Sequence, residues 1–186
     1  KIKLIYHTTP HRGLEILFPV FDFLSKEYDN LELDVYSSFA IYGWEQRDEP
    51  YKQLFDDLND HPNINYHGYQ PNDVVRKSLA EAHIFAYPSI WQETSCIALI
   101  EAMSAGCVCV HPNLAALPET SAGFTNMYQW HENKQEHASI FYNILKQSIE
   151  ILSKNLFAMN NQVSYTNSIY TWENREKEWN SLLQVM

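Results

Sequence analysis

The feature of this sequence that most restricts its possible folds is a regular alternation of short apolar runs with segments of helical periodicity. The apolar runs contain β-branched and aromatic residues over the length of a strand, and the segments between them repeat apolar residues three and four positions apart. Such alternation predicts parallel βαβ units with right-handed crossovers. The expected fold class is therefore α/β, with a three-layer, Rossmann-like parallel sheet flanked by helices.

The predicted elements follow one another in a simple order along the chain. Strands are predicted at 3–7, 31–36, 64–67, 84–87 and 108–111. Helices are predicted at 14–28, 50–58, 73–81, 96–105, 136–154 and 171–185. Ligands of parallel sheets bind beyond the carboxyl ends of the strands. The loops expected to gather at that edge are 8–13, 68–72, 89–95 and 112–120.

The 186 residues are expected to form one domain, 1–186, with 136–186 as closing helices, because no internal repeat or low-complexity linker divides them. Tyr165, Trp172 and Trp179 are expected in the core, where aromatic residues at helical spacing usually lie. The chain starts on a strand-like run without an initiator Met, so we expect a piece of a longer protein.

Charge and composition exclude several classes of function. A formal net charge of -10 argues against a nucleic-acid partner, because phosphate backbones are bound by clustered Lys and Arg. No apolar run reaches the length of a membrane span, so we expect a chain without a transmembrane segment, located in the cytoplasm and attached to a membrane, if at all, through the rest of the protein. The histidines lack zinc-site spacing and no calcium loop is present, so no metal is expected.

The three cysteines, Cys96, Cys107 and Cys109, lie in the most apolar segments and are odd in number. They are expected to be small core residues rather than a disulfide framework. The sequence contains no Ser/His/Asp set, no glycine-rich phosphate loop and no dinucleotide fingerprint.

The stretch 87–106 carries the most specific pattern. It contains a strand end, a loop with Glu93 and an apolar helix interrupted only by Glu101, with Thr94 and Ser95 as expected N-caps. A helix that is apolar nearly all round is normally buried, so Glu101 is expected to need hydrogen-bond donors. Glu93 precedes the helix start, where free N–H groups would suit a phosphorylated ligand.

The two glutamates belong to a larger set of matching residues. The set consists of Pro88-Ser89, Glu93, Glu101 after seven intervening residues, Ala102-Met103, Ala105-Gly106, Val108, Val110 and Leu117-Pro118-Glu119. It resembles the donor-binding segment, with the Glu-x7-Glu motif, of retaining GT-B glycosyltransferases of the glycosyl transferases group. The resemblance implies one half of a GT-B fold, the C-terminal donor-binding domain, with the N-terminal acceptor domain outside these residues. Without the other matching residues, each glutamate would be interpreted as a solvated surface residue.

The resemblance also implies roles for individual residues of the stretch. Glu101 would accept hydrogen bonds from the ribose hydroxyls of the donor nucleotide. Glu93, the candidate catalytic residue, would contact hydroxyls of the donor sugar. The backbone N–H groups around Thr94, Ser95 and Cys96 would hold the diphosphate at the helix start.

Two further patches match the same family. Arg12-Gly13 opens the first predicted helix, where the family places a basic residue and a Gly to neutralise the diphosphate, and a guanidinium fork suits two phosphate oxygens. Related proteins carry a second basic residue several positions earlier, but this chain has Tyr6-His7-Thr8 there, with His7 or Thr8 as the candidate substitute. Gly68-Tyr69 resembles the loop that runs along the nucleotide base.

The function implied is transfer of a sugar from a nucleotide-diphosphate sugar to an acceptor hydroxyl, with retention and without a metal or cofactor. The acceptor, a glycan, a lipid-linked molecule or a protein, would bind through the N-terminal domain, so this fragment alone is expected to be inactive. Two alternatives remain open: a non-catalytic nucleotide-binding or interaction module, suggested by the absent second basic residue, and a GT-B sugar epimerase or phosphorylase.

Overall fold

The centre of the fold is a parallel sheet of six strands. They are β1 (Ile2–Tyr6), β2 (Leu31–Val35), β3 (Ile64–Tyr66), β4 (Ile84–Ala86), β5 (Val108–Pro112) and β6 (Asn126–Tyr128). The computed structural model describes residues 1–152 and 156–185. The strand order is β3-β2-β1-β4-β5-β6, and every neighbouring pair is parallel. The predicted α/β class is confirmed. The short strand β6 was not predicted, because its sequence Asn-Met-Tyr has no apolar run.

Eight α-helices accompany these strands in the described part of the chain. They are α1 (Leu14–Glu27), α2 (Lys52–Asp60), α3 (Asn72–Glu81), α4 (Ile97–Ser104), α5 (Leu117–Ser121), α6 (Lys134–Ile151), α7 (Leu156–Ile169) and α8 (Trp172–Val185). Helices α1 and α6 pack together on one face of the sheet, while α3 and α4 cover the other face and α7 packs on α4. Right-handed crossovers produce this three-layer arrangement.

Some predicted helices differ from the observed ones. The helix predicted at 50–58 begins at Lys52, because 45–51 form a 3-10 helix that contains Pro50. Helices α5 and α7 were not predicted, and the predicted end of the helix 136–154 lies outside the described residues. Helix α7 has only a weak helical periodicity of apolar residues. Its position depends on tertiary contacts, because Gln162 donates hydrogen bonds to the carbonyl oxygens of Met103 at 3.2 Å and Cys107 at 2.9 Å.

The core lies between the sheet and its helices. All three cysteines are free and buried, as predicted. The expectation that Trp172 and Trp179 belong to the core is wrong: they are 87% and 61% exposed. They lie on α8, and no residue of this helix is buried.

None of the described helices combines the length and the apolar character that crossing a membrane requires.

The strand order reverses direction between β1 and β4, and this switch point positions the ligand site. In sheets of this kind the loops after the two central strands diverge and leave a crevice between them. The loops after β1 and β4 are in contact at Gly13, whose φ is +124°. A Cβ built on Gly13 would lie 2.2 Å from the carbonyl oxygen of Pro88, so only glycine fits at this contact.

Candidate functional site

A cavity of about 550 Å³ opens at the switch point. It is bounded by the loops that follow β1, β2, β3 and β4 and by the first turns of α4. The residues predicted to form the site that line it are Thr8, Arg12, Gly68, Tyr69, Glu93, Thr94, Ser95, Cys96 and Glu101. Gly13, the remaining predicted site residue, does not line the cavity but packs behind it against Pro88.

Glu93 is the more deeply buried of the two glutamates. Its side chain is 6% exposed, and Oε1 accepts hydrogen bonds from the hydroxyl of Tyr87 at 2.6 Å and from Nη1 of Arg12. The loop after β4 folds back into the crevice and is held there by the backbone of Glu93, whose carbonyl oxygen accepts from the amide of Ala116 at 3.2 Å. Burial of a carboxylate in this position requires donors, and Tyr87 and Arg12 supply them.

Glu101 is less buried than the sequence suggested, with a side chain 21% exposed. Its Oε1 accepts from Nη2 and Nε of Arg76 at 3.3 and 3.4 Å. The Arg76 side chain is 66% exposed, so this pair is weak and a ligand can replace it. The sequence predicted a buried Glu101 that needs donors, but the more deeply buried carboxylate is that of Glu93, because helical periodicity does not report how a neighbouring loop folds.

The start of α4 differs from the prediction in a way that bears on anion binding. Cys96, rather than Thr94 or Ser95, occupies the N-cap position, and no side-chain hydrogen bond caps the helix. The first N–H groups of a helix have no partner within the helix, and its N-terminus carries a partial positive charge. Cys96, Ile97 and Ala98 line the cavity, so this uncapped end adjoins the space where a ligand would lie.

Positive charge is scarce in the cavity. Among the described residues that line it, Arg12 is the only lysine or arginine, and its Nε is buried without a hydrogen-bond partner. Burial lowers the pKa of Arg12, but the charge of Glu93 and the hydroxyl of Tyr87 more than offset this and leave the pKa raised. Burial lowers the pKa of His7 to about 4, so this residue is neutral at pH 7.

Several buried polar atoms in the loop that contains Arg12 have no hydrogen-bond partner among the described residues. The buried side-chain atoms without a hydrogen bond in the described residues include Nε2 of His7, Oγ1 of Thr9 and Nδ1 of His11, besides Nε of Arg12. All four belong to the loop after β1. Buried polar groups are normally satisfied, so their concentration in one loop indicates that this loop completes its hydrogen bonding with water or a ligand.

Large side chains form the rim of the cavity. Ile41, Tyr42, Tyr69 and Trp91 line it and are each about half exposed. The ring of His11 lies edge-on to Trp91, with centroids 4.6 Å apart. Sequence reasoning found Tyr69 but missed the other three, although an aromatic-rich segment between a strand and a helix was a signal that could have identified Tyr42. Within the described residues, no group of three or more His, Cys, Asp or Glu could hold a metal ion.

Comparisons with known proteins bear on the family and the fold of this chain. A family model described as Glycosyl transferases group 1 matches residues 6–146. No curated protein sequence matches the chain. Solved structures match at the level of the fold, and three of them are described next.

Sucrose-phosphate synthase (tll1590) from Thermosynechococcus elongatus is 13% identical, with a TM-score of 0.76 over 100% of this chain and 46% of that chain. Anabaena Alr3699/HepE in complex with UDP-glucose is 16% identical, with a TM-score of 0.74 over 100% of this chain and 48% of that chain. A glycosyltransferase from Rickettsia africae ESF-5 is 15% identical, with a TM-score of 0.73 over 97% of this chain and 46% of that chain. The chain thus spans about half the length of these structures.

Proposed function

Because this chain belongs to the group 1 glycosyl transferases and has the fold of one half of a GT-B enzyme, we propose that it is the C-terminal, donor-binding half of a retaining glycosyltransferase. The donor is a nucleotide-diphosphate sugar, and the sugar passes to an acceptor hydroxyl. The observation that carries this proposal is the cavity at the switch point, where Arg12, Glu93, Glu101 and the uncapped start of α4 meet.

Each group has chemistry suited to one part of such a donor. The start of α4 and Arg12 offer N–H donors and positive charge to the diphosphate, which gains charge as it leaves the sugar. Glu101 can accept hydrogen bonds from the ribose, and the loop of Gly68-Tyr69 lies at the cavity edge where a base would fit. Glu93 can accept from hydroxyls of the sugar.

Several finer points belong to the proposal. The diphosphate charge is met by Arg12 and the backbone of α4 without a divalent metal, and Thr8 and His7 contribute hydrogen bonds where relatives carry a second basic residue. The acceptor is a glycan, a lipid-linked molecule or a protein, bound mainly by the other half of the protein, so the 186-residue chain alone is inactive. The enzyme acts in the cytoplasm. The Anabaena neighbour was solved with UDP-glucose, which makes a uridine donor the first to test.

One observation favours a second candidate, a non-catalytic nucleotide-binding or interaction module. The single arginine of the described cavity lining is already paired with Glu93, and His7 adds no charge at pH 7. Diphosphate binding would then depend on the helix start alone. A GT-B epimerase or phosphorylase is a third candidate, distinguished by its products.

Calorimetric titration of the full-length protein with UDP, GDP and ADP, with and without a chelator, tests the proposal. The proposal predicts that Arg12→Ala and Glu101→Ala each weaken binding of the preferred nucleotide about tenfold or more, the equivalent of about 1.4 kcal/mol. Arg175→Ala is the matched control, because Arg175 lies on α8 and is paired with Glu178. Binding of none of the three nucleotides would contradict the proposal.

Product analysis separates the remaining candidates. Incubation with a nucleotide sugar and a free hydroxyl acceptor should yield a glycoside of retained configuration. Conversion of the donor sugar without transfer would indicate an epimerase, and nucleotide binding without turnover of any donor would support the non-catalytic module.

A further inference from the structure

The two carboxylate oxygens of Glu93 have different surroundings. Oε1 accepts from both Tyr87 and Arg12. Oε2 has no hydrogen-bond partner among the described residues. It is nevertheless not a buried atom, because the buried polar atoms that lack a partner do not include it. Since Glu93 lines the cavity, Oε2 is the oxygen that a ligand in the cavity can reach.

Tyr87 is more deeply buried than Arg12, the other side chain that donates to Glu93. Its side chain is fully buried, and its ring lies 5.3 Å from Phe85 and 6.1 Å from Tyr6 between centroids. Its backbone N–H donates to the carbonyl oxygen of Val110 at 2.9 Å, which fixes it beside β5. These contacts hold the ring and the backbone of Tyr87 in place when a ligand enters the cavity.

The hydroxyl of Tyr87 donates its proton to Glu93. Burial raises the pKa of Tyr87 far above its ordinary value, with the nearby charge of Glu93 acting in the same direction, so the hydroxyl stays protonated. A protonated phenol donates to an ionised carboxylate through a short, charge-assisted hydrogen bond, which agrees with the 2.6 Å distance. Arg12 is partly exposed and can respond to a diphosphate, whereas Tyr87 cannot.

We propose that Tyr87 is a positioning residue that holds Oε1 of Glu93, so that Oε2 faces a hydroxyl of the donor sugar. The proposal rests on the proposed function and deepens it, because it assigns to Tyr87 the recognition of the sugar rather than of the nucleotide. Loss of the Tyr87 hydroxyl leaves the carboxylate free to rotate towards Arg12, and the acceptor oxygen is then no longer aimed at the sugar.

The test compares nucleoside diphosphates with their sugar conjugates on the full-length protein. The pairs are UDP with UDP-glucose, GDP with GDP-mannose and ADP with ADP-glucose, and the pair that binds the unchanged protein is used. Tyr87→Phe is expected to leave the affinity for the nucleoside diphosphate within about twofold, while the additional affinity contributed by the sugar falls roughly tenfold, a change equivalent to about 1.4 kcal/mol.

Tyr128→Phe is the matched control. Tyr128 is a buried tyrosine whose hydroxyl lies 3.1 Å from Nε2 of His137, on β6 and outside the cavity lining. It should change neither affinity. A merely structural role of Tyr87 would lower both affinities equally or only the melting temperature, and that result would overturn the proposal.

A double-mutant cycle with Glu93→Gln provides the second measurement. The glutamine can turn its carbonyl oxygen towards Tyr87, which leaves an amide where the sugar needs an acceptor, so Glu93→Gln alone should lose the same sugar-dependent affinity. Tyr87→Phe should then have no further effect in that background, and an undiminished effect would contradict the proposal. If Tyr87→Phe does not fold, Glu93→Gln alone is measured. An equal loss of affinity for the nucleoside diphosphate and for its sugar conjugate in Glu93→Gln would then overturn the proposal. Failure of all nucleotides to bind the unchanged protein would instead sink the proposed function itself.

Discussion

At the scale of single residues, the site depends on how Arg12 and Glu93 use each other. A buried carboxylate and a partly buried guanidinium satisfy each other's charge, and breaking such a pair from one side leaves an uncompensated charge. A diphosphate that enters the cavity gives Arg12 a second anion to bind. Arg12 and Glu93 still need each other as partners. The pair therefore links the diphosphate and sugar ends of the proposed donor site.

Gly13→Ala is expected to destabilise the protein strongly. Its φ of +124° costs a residue with a Cβ about 1–3 kcal/mol. The overlap of that Cβ with the carbonyl oxygen of Pro88 adds a further ~1–3 kcal/mol. Urea unfolding measures the sum.

Gly43→Ala is the control for Gly13→Ala. Gly43 has a φ of +69°, but nothing lies within 4 Å of a Cβ built there, so only the backbone cost applies. Equal losses of stability in the two variants would show that the close contact between the loops after β1 and β4 adds nothing to the destabilisation caused by Gly13→Ala.

At the scale of elements, the connection between β2 and α2 determines one wall of the cavity. It consists of two 3-10 helices, Phe39–Tyr42 and Glu45–Tyr51. Asp48 joins them, because its Oδ1 accepts from the amide of Phe39 at 2.9 Å and its Oδ2 accepts from the hydroxyl of Ser38 at 2.5 Å. Ile41 and Tyr42 reach the cavity from this connection.

Asp48→Ala is expected to loosen this connection while leaving the sheet intact. Loss of both acceptor oxygens should cost about 1–3 kcal/mol of local stability. Hydrogen exchange should become faster in 38–44, and nucleotide affinity should fall because Ile41 and Tyr42 are no longer held at the rim. Glu49→Ala is the control, since Glu49 is an exposed neighbour without a side-chain hydrogen bond to any described residue. Unchanged exchange in Asp48→Ala would show that the hydrogen bonds of Asp48 do not hold the segment.

At the scale of the whole molecule, buried histidines couple stability to pH. Burial lowers the pKa of His7 and of His111 to about 4. In His111, Nδ1 lies 2.9 Å from the carbonyl oxygen of Pro112 and Nε2 lies 2.7 Å from the hydroxyl of Thr125. Donation from Nδ1 and acceptance at Nε2 use both nitrogens of the neutral ring, and burial disfavours the charged ring that a second proton would produce.

The free energy of unfolding should therefore fall as the pH falls from about 6.5 towards 4. At His7 and His111 the unfolded chain takes up a proton near pH 6.5, whereas the folded chain does so only near pH 4, so protons favour the unfolded state in this interval. His111 alone should lower the free energy of unfolding by about 2 kcal/mol between pH 7 and pH 5. Denaturant unfolding at the two pH values measures this loss.

His111→Asn is expected to be less stable at pH 7 but to lose about 2 kcal/mol less on acidification. His131→Asn is the control, because His131 is exposed, and it should retain the full pH dependence. The explanation fails if His111→Asn is as sensitive to pH as the unchanged protein.

The sequence by itself determined the α/β class, the main βαβ units and nine of the residues that line the cavity. Periodicity of apolar residues and turn chemistry are local properties, and parallel topology then places the loops after successive strands at one edge. That is why Arg12, Gly68-Tyr69 and the stretch from Glu93 to Glu101, far apart in the chain, could be expected in one place.

Only the tertiary structure decided which groups are buried and which are paired. The burial of Glu93, its bond to Tyr87, the partial exposure of Glu101 and the uncapped start of α4 depend on how loops fold against one another. The same is true of α7, which is held by the side chain of Gln162, and of α8, whose exposed tryptophans lack a covering surface in the described residues. These features arise from contacts between distant segments, and such contacts leave no periodic signal in the sequence.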